Sequence, residues 1–151
     1  LRVFDTLADL VPCVGQHVAT SDWFAVTQAQ IQLFAEATGD HQWIHTDVER
    51  AAGGPFGGTI AHGFLTLSLL PQLMESALSI THSSMGVNVG LNKVRFTAPV
   101  PAGSQLRAQM RLVSLDWVDQ GGCQMVWAVT IERQGQDKPV CVAETVVRRY
   151  P

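Results

Sequence analysis

The stretch His62-Gly63-Phe64-Leu65-Thr66-Leu67-Ser68-Leu69-Leu70-Pro71-Gln72-Leu73-Met74-Glu75-Ser76-Ala77-Leu78 decides how the rest of the chain is arranged. Phe64, Leu65, Leu67, Leu69, Leu70, Leu73 and Met74 place apolar side chains almost all the way round a helix of 3.6-residue period. A helix without a polar face has to be enclosed by the remainder of the chain. Pro71 falls inside the run. It lacks an N–H and its ring clashes with the preceding turn, so a kink or break is expected there.

Downstream, four strands are expected at 87–96, 105–118, 124–133 and 139–149. They are separated by turn signals at Pro101-Ala102-Gly103, Gln120-Gly121-Gly122 and Gln134-Gly135-Gln136-Asp137. In the first of them Val87, Val89 and Leu91 alternate, but Val94 and Phe96 continue on the opposite parity. One extra residue near Asn92-Lys93, a β-bulge, accounts for the switch. Upstream, residues 23–26 read as a short strand. Thr27 and Gln30 form a capping box for a helix over 28–38, with Gly39 at its left-handed end. On that helix Ile31, Phe34, Ala35 and Thr38 share one face, which is expected to pack on the core. A polar loop (40–45), a helical turn (47–52) and a glycine-rich loop (53–58) follow. Helical segments first and long antiparallel strands afterwards give an α+β class, with one sheet curling around the 62–78 helix. This arrangement is called a hot dog.

The 151 residues suit one domain spanning 1–151, and a hydrophobic content of 46% supplies its core. With 15% charged residues and a net charge of -3, no basic surface exists to neutralise a phosphate backbone, which argues against nucleic-acid binding. Cys13, Cys123 and Cys141 are odd in number and far apart. They fit buried thiols of a reduced cytoplasmic protein better than a metal or redox site. No apolar run reaches the roughly 18 residues of a membrane span, and the first residues carry Asp5 and Asp9 rather than a basic signal-peptide start. The expectation is a cytoplasmic protein that does not enter a membrane.

The reactive side chains concentrate between Asp40 and Gly63. Asp40 and His45 stand five residues apart in a loop, where a turn can aim both at one water molecule. Asp and His in loops also cap turns or face solvent, so spacing alone leaves that alternative open. A metal site formed by Asp40, His41, His45 and Asp47 lacks a helical ligand pair and a cysteine partner and is disfavoured. The run Gly57-Gly58-Thr59-Ile60-Ala61-His62-Gly63 leads into the apolar helix, whose first N–H groups have no intrahelical acceptor. Gly63 N–H is therefore a candidate oxyanion donor, unless the glycine simply lets the turn form. His62 either orients that turn or is satisfied by neighbouring backbone.

The segment TGDHQWIHTDVERAAGGPFGGTIAHGFLTLSLLP, residues 38–71, resembles the signature of the MaoC-like (R)-specific enoyl-CoA hydratases, especially the branch of the nodulation protein N-like proteins. Val94-Arg95-Phe96-Thr97-Ala98-Pro99-Val100 extends the resemblance. It implies a hot dog fold, usually dimeric, with Asp40 and His45 as the catalytic pair, Gly63 as the oxyanion donor and Phe96 lining the acyl pocket. The commoner hydratase loop reads Asp-x-Asn-Pro-x-His. Here Gln42 and Trp43 replace Asn and Pro, so Trp43 stands where its bulk bears on the pocket. Lys93 and Arg95 either meet coenzyme A phosphates or are ordinary solvated strand charges. Trp23, Trp117 and Trp127 are expected in core or dimer contacts.

The activity implied is reversible addition of water to a trans-2-enoyl-CoA to give an (R)-3-hydroxyacyl-CoA, a lyase reaction of fatty acid metabolism. It needs no cofactor or metal beyond the coenzyme A of the substrate itself. The carrier is coenzyme A or acyl carrier protein, and the expected assembly is a homodimer. A thioesterase on the same fold, or a non-catalytic acyl-thioester-binding module, are the alternatives.

Overall fold

The computed structural model describes residues 1–151. The elements run β1 (Arg2–Phe4), β2 (His17–Thr20), β3 (Phe24–Ala25), α1 (Gln28–Thr38), α2 (Trp43–Thr46), α3 (Val48–Ala52), α4 (Gly63–Ser68), α5 (Leu70–Ala77), β4 (Leu78–Ile80), β5 (Met85–Arg95), β6 (Gln105–Trp117), β7 (Cys123–Arg133) and β8 (Cys141–Tyr150). The four long strands lie within one or two residues of where alternation and turn residues place them. They pair antiparallel in the order β2-β6-β7-β8-β5, with β3 also on β6.

Alternation sets which face is buried, because successive side chains on a strand point to opposite sides. Met110 lies opposite Val129 and Val129 opposite Ala143; Ala108 lies opposite Ile131 and Ile131 opposite Cys141. All of these are buried, and Leu70, Leu73 and Ala77 of α5 join them in one core. Removing a side chain such as Leu73, which is 1% exposed, would cost about 2–5 kcal/mol.

Pro71 does break the apolar helix. α4 ends at Ser68, α5 starts at Leu70, and the proline occupies the first turn of α5, where its missing N–H has no intrahelical acceptor to lose. Enclosure is less complete than the pattern implies, since Phe64 is 69% exposed. A cleft of about 810 Å³ opens between α4–α5 and the end of the sheet formed by β7, β8 and β5. Strand β5 itself is exposed along nearly its whole length, and its second edge is unpaired.

The bulge appears where parity switches, between Leu91 and Lys93, leaving Asn92 out of the register with β8, where its Nδ2 donates to Glu144 Oε1 at 2.7 Å. A second irregularity, between Asn88 and Gly90, was not legible because Val87, Val89 and Leu91 alternate without interruption. The segment before Trp23 has no periodic signal. It forms β1, which pairs in parallel with β4, and a 3-10 turn (Leu7–Cys13) that buries Leu7, Leu10 and Cys13.

On α1 the Thr27–Gln30 capping box is present in both directions at 3.2 Å, and Gly39 is left-handed at φ 81. Ile31 and Ala35 are buried and Phe34 is partly buried, but Thr38 is exposed. Thr38 hydroxyl donates back to Phe34 O at 2.7 Å, because the last turn runs past the edge of the core. Trp127 is core, Trp23 lies under the Arg107 guanidinium, and Trp117 is 55% exposed. The three cysteines are free and buried. No helix is long and apolar enough to cross a membrane. An antiparallel sheet holding a broken apolar helix against its inner face is a hot dog fold of the α+β class.

Candidate active site

Gly39 ends α1 and Asp40 begins the loop to α2, a four-residue helical turn that carries His45. Two glutamines of α1, one helical turn apart, hold that turn in place. Gln28 Nε2 donates to His45 O at 2.8 Å and Gln32 Nε2 to Thr46 O at 2.9 Å, while Thr59 Oγ1 donates to Gln28 Oε1 at 2.6 Å. These bonds occupy C-terminal carbonyls that a short helix cannot satisfy internally. Sequence reading missed Gln28, Gln32 and Thr59. The signal was two glutamines four apart on one helix face, but nothing in the sequence says which carbonyls they meet.

His45 is 6% exposed. Its Nδ1 lies 2.7 Å from Ile60 O, and Ile60 N–H donates in turn to Ile44 O at 3.0 Å. A carbonyl only accepts, so Nδ1 carries the hydrogen and the neutral ring keeps its lone pair on Nε2. Asp40 is partly exposed, and its Oδ1 accepts from Gln42 N–H at 3.3 Å. One carboxylate oxygen of Asp40, one ring nitrogen of His45 and one of His62 lie within 4.8 Å of one another. The His45 and His62 rings are stacked, with centroids 3.9 Å apart and planes at 26°. Imidazole lone pairs lie in the ring plane, so two stacked rings do not aim at one ion in the manner of a tetrahedral site.

His45, Gly63 and Phe96 line one cleft of about 390 Å³ with Phe56, Thr66 and the segment from Thr97 to Val100. Gly63 opens α4, and its N–H has no acceptor within the helix. Its φ is not in the left-handed region. A glycine is needed there because the Phe96 ring lies against its α-carbon. Thr66, 1% exposed and one turn further along α4, brings a hydroxyl without a hydrogen-bond partner to the same wall.

Asp40, Trp43, Lys93 and Arg95 are not among the residues lining this cleft; Asp40 meets it only through its proximity to His45. Trp43 is held between the Arg50 guanidinium, 4.2 Å from its ring, and Gly54, where a Cβ would come within 3.0 Å of the indole. Lys93 and Arg95 are exposed on β5, and Arg95 Nη1 donates to Val94 O at 2.7 Å.

The fold is that of the hot dog enzymes, and the chain is a hydro-lyase of that class. A family model described as the MaoC like domain matches residues 9–134, and the chain belongs to that family. It is 51% identical over 148 residues to 3-hydroxyacyl-thioester dehydratase Z of Mycobacterium tuberculosis, covering 98% of each chain. It is 43% identical over 143 residues to nodulation protein N of Rhizobium leguminosarum, covering 93% of this chain and 89% of that one. Among solved structures it resembles the R-hydratase PhaJ1 from Pseudomonas aeruginosa, with a TM-score of 0.67 and 26% identity over 89% of this chain and 79% of that one.

Proposed function

We propose that the chain hydrates a trans-2-enoyl-CoA to the (R)-3-hydroxyacyl-CoA, and dehydrates it in reverse, with Asp40 and His45 sharing the water. The observation that carries this reading is the meeting of the Asp40 carboxylate and the His45 ring within 4.8 Å, with the His45 ring on a cleft that also holds Gly63. The free lone pair on His45 Nε2 and the carboxylate of Asp40 are both acceptors for a water hydrogen. The water oxygen bonds to carbon 3 while its proton passes to the pair and on to carbon 2. The displaced electron pair collects on the thioester oxygen, where Gly63 N–H stabilises it most in the transition state. Phe96 forms the wall beside the acyl group. Nothing is oxidised or reduced, so the chemistry requires no redox cofactor, and the pair supplies the proton transfers that a metal would otherwise assist.

The name of the Mycobacterium tuberculosis relative specifies a thioester without a carrier. We take coenzyme A as the carrier, with Lys93 and Arg95, exposed beside Phe96, as the cations that meet its phosphates. The working unit is a cytoplasmic homodimer. Strand β5 offers an unpaired edge and the exposed apolar side chains Met85, Val87, Val89 and Leu91, a combination that is aggregation-prone unless a second copy covers it.

The test is an assay of crotonyl-CoA and longer enoyl-CoAs alongside the same acyl groups on acyl carrier protein. Loss of the conjugated thioester absorbance is followed while free thiol is scored. Absorbance loss without thiol release is the expected result. Thiol release would make the protein a thioesterase, and activity only on the acyl carrier protein substrates would change the carrier.

A further inference from the structure

His62 is 3% exposed and lies outside the proposed catalytic pair, yet it touches every element that carries the pair. Its Nε2 lies 3.0 Å from Asp40 O, so this nitrogen donates to the carbonyl. Its ring stacks on His45 at 3.9 Å on one side and meets the Phe34 ring of α1 at 4.8 Å. Because His62 is also the residue that leads into α4, one imidazole ties together α1, the Asp40 loop, α2 and the helix that begins with Gly63.

Asp40 has little else to hold it. It follows the left-handed Gly39, makes no backbone–backbone hydrogen bond, and its carboxylate has only the 3.3 Å contact from Gln42 two residues on. His62 supplies the one hydrogen bond that reaches Asp40 from a distant part of the chain. A loop residue anchored at a single carbonyl swings when that anchor is lost, and a misplacement of about 1 Å in a reacting group can cost about 10²-fold in rate.

We propose that His62 is a positioning residue, whose Nε2–H fixes the Asp40 main chain and whose ring fixes the plane of His45, so that both reach one water. This rests on the reading of Asp40 and His45 as the reacting pair. In this role His62 acts on the pair rather than on the thioester, and its Nδ1 is buried without a hydrogen-bond partner.

The experiment measures kcat and KM for crotonyl-CoA hydration in His62→Phe, His62→Gln, Asp40→Asn and the double variant Asp40→Asn/His62→Phe. Phenylalanine keeps the ring between His45 and Phe34 but deletes the donor. Glutamine keeps a donor at nearly the same reach. His62→Phe should lose about 10²-fold in kcat with KM within about twofold of wild type, and His62→Gln should recover most of that loss. In the double variant the two losses should not multiply, because His62 acts through Asp40. A wild-type kcat in folded His62→Phe, losses that multiply, or a His62→Gln no better than His62→Phe would each overturn the proposal. If Asp40→Asn is slow while His62→Phe is not, only the role of His62 falls. If Asp40→Asn runs at the wild-type rate, the reading of the pair falls with it.

Discussion

The Phe96 ring lies so close to the α-carbon of Gly63 that a Cβ built there would stand 2.9 Å from Phe96 Cδ2 and 3.0 Å from Cε2. The two residues come from elements 33 positions apart in sequence, and together they form one wall of the cleft that His45 also lines. Any side chain at position 63 must push the aromatic ring outward or the helix start inward, and either movement would displace a thioester oxygen held by Gly63 N–H as proposed. Gly63→Val is expected to lower kcat by on the order of 10²-fold or more, comparable to the loss of an oxyanion donor. Because the φ of Gly63 is not in the left-handed region, backbone strain is not the cause. Kinetics on a variant with a wild-type melting transition check this, and a Gly63→Val enzyme at full speed would place the oxygen elsewhere.

Gln28 is half-buried, donates to His45 O and accepts from Thr59 Oγ1. Gln28→Leu leaves a carbonyl and a nearly buried hydroxyl without partners. The expected loss is about 1–3 kcal/mol of stability, measured by urea denaturation, with a fall in kcat as the His45 turn loosens. Unchanged stability would mean that water replaces the amide.

The long strands, the break at Pro71 and the bulge beside Asn92 were all readable before the fold was known, because each is a local rule: alternation, a missing N–H, a parity switch. The neighbourhood of Asp40, His45 and Gly63 was readable from a signature, whereas its supports were not. Gln28 lies 17 residues from the carbonyl it holds, and His62 lies 22 residues from Asp40. Such bonds depend on where the chain returns, which no local spacing encodes. Thr38 misled because helical spacing does not say where the core ends.

Leu91 is 47% exposed on the free edge strand β5. Leu91→Asp, a charge on a surface proposed to meet a second copy, should convert the protein to a monomer in sedimentation velocity. An unchanged dimer would move the interface off β5, and a monomeric wild type at micromolar concentration would remove it altogether.

Burial pushes the Cys141 thiol up to about 11, and burial also raises Cys123, against the opposing pull of the Arg149 guanidinium. The thiolate is the reactive form, so neither should react with a disulfide reagent in native protein at mildly alkaline pH, while all three thiols should react once the chain is denatured. The unfolded thiols ionise near about 8.5. Above that pH the unfolded state loses protons that the native state keeps, so this contribution lowers stability as pH rises toward 11. Rapid native labelling at Cys141 would contradict its burial.

The most direct test of the account is the kcat for crotonyl-CoA hydration in Asp40→Asn, His45→Gln and the double variant, each first shown to fold and assemble as wild type does. Each single change is predicted to cost roughly 10²- to 10⁴-fold, the usual worth of a positioned acid–base group. If both act on one water, as proposed, the double variant should be little slower than the slower single. A correctly folded single variant that hydrates crotonyl-CoA at the wild-type rate would remove that residue from the mechanism and contradict the account.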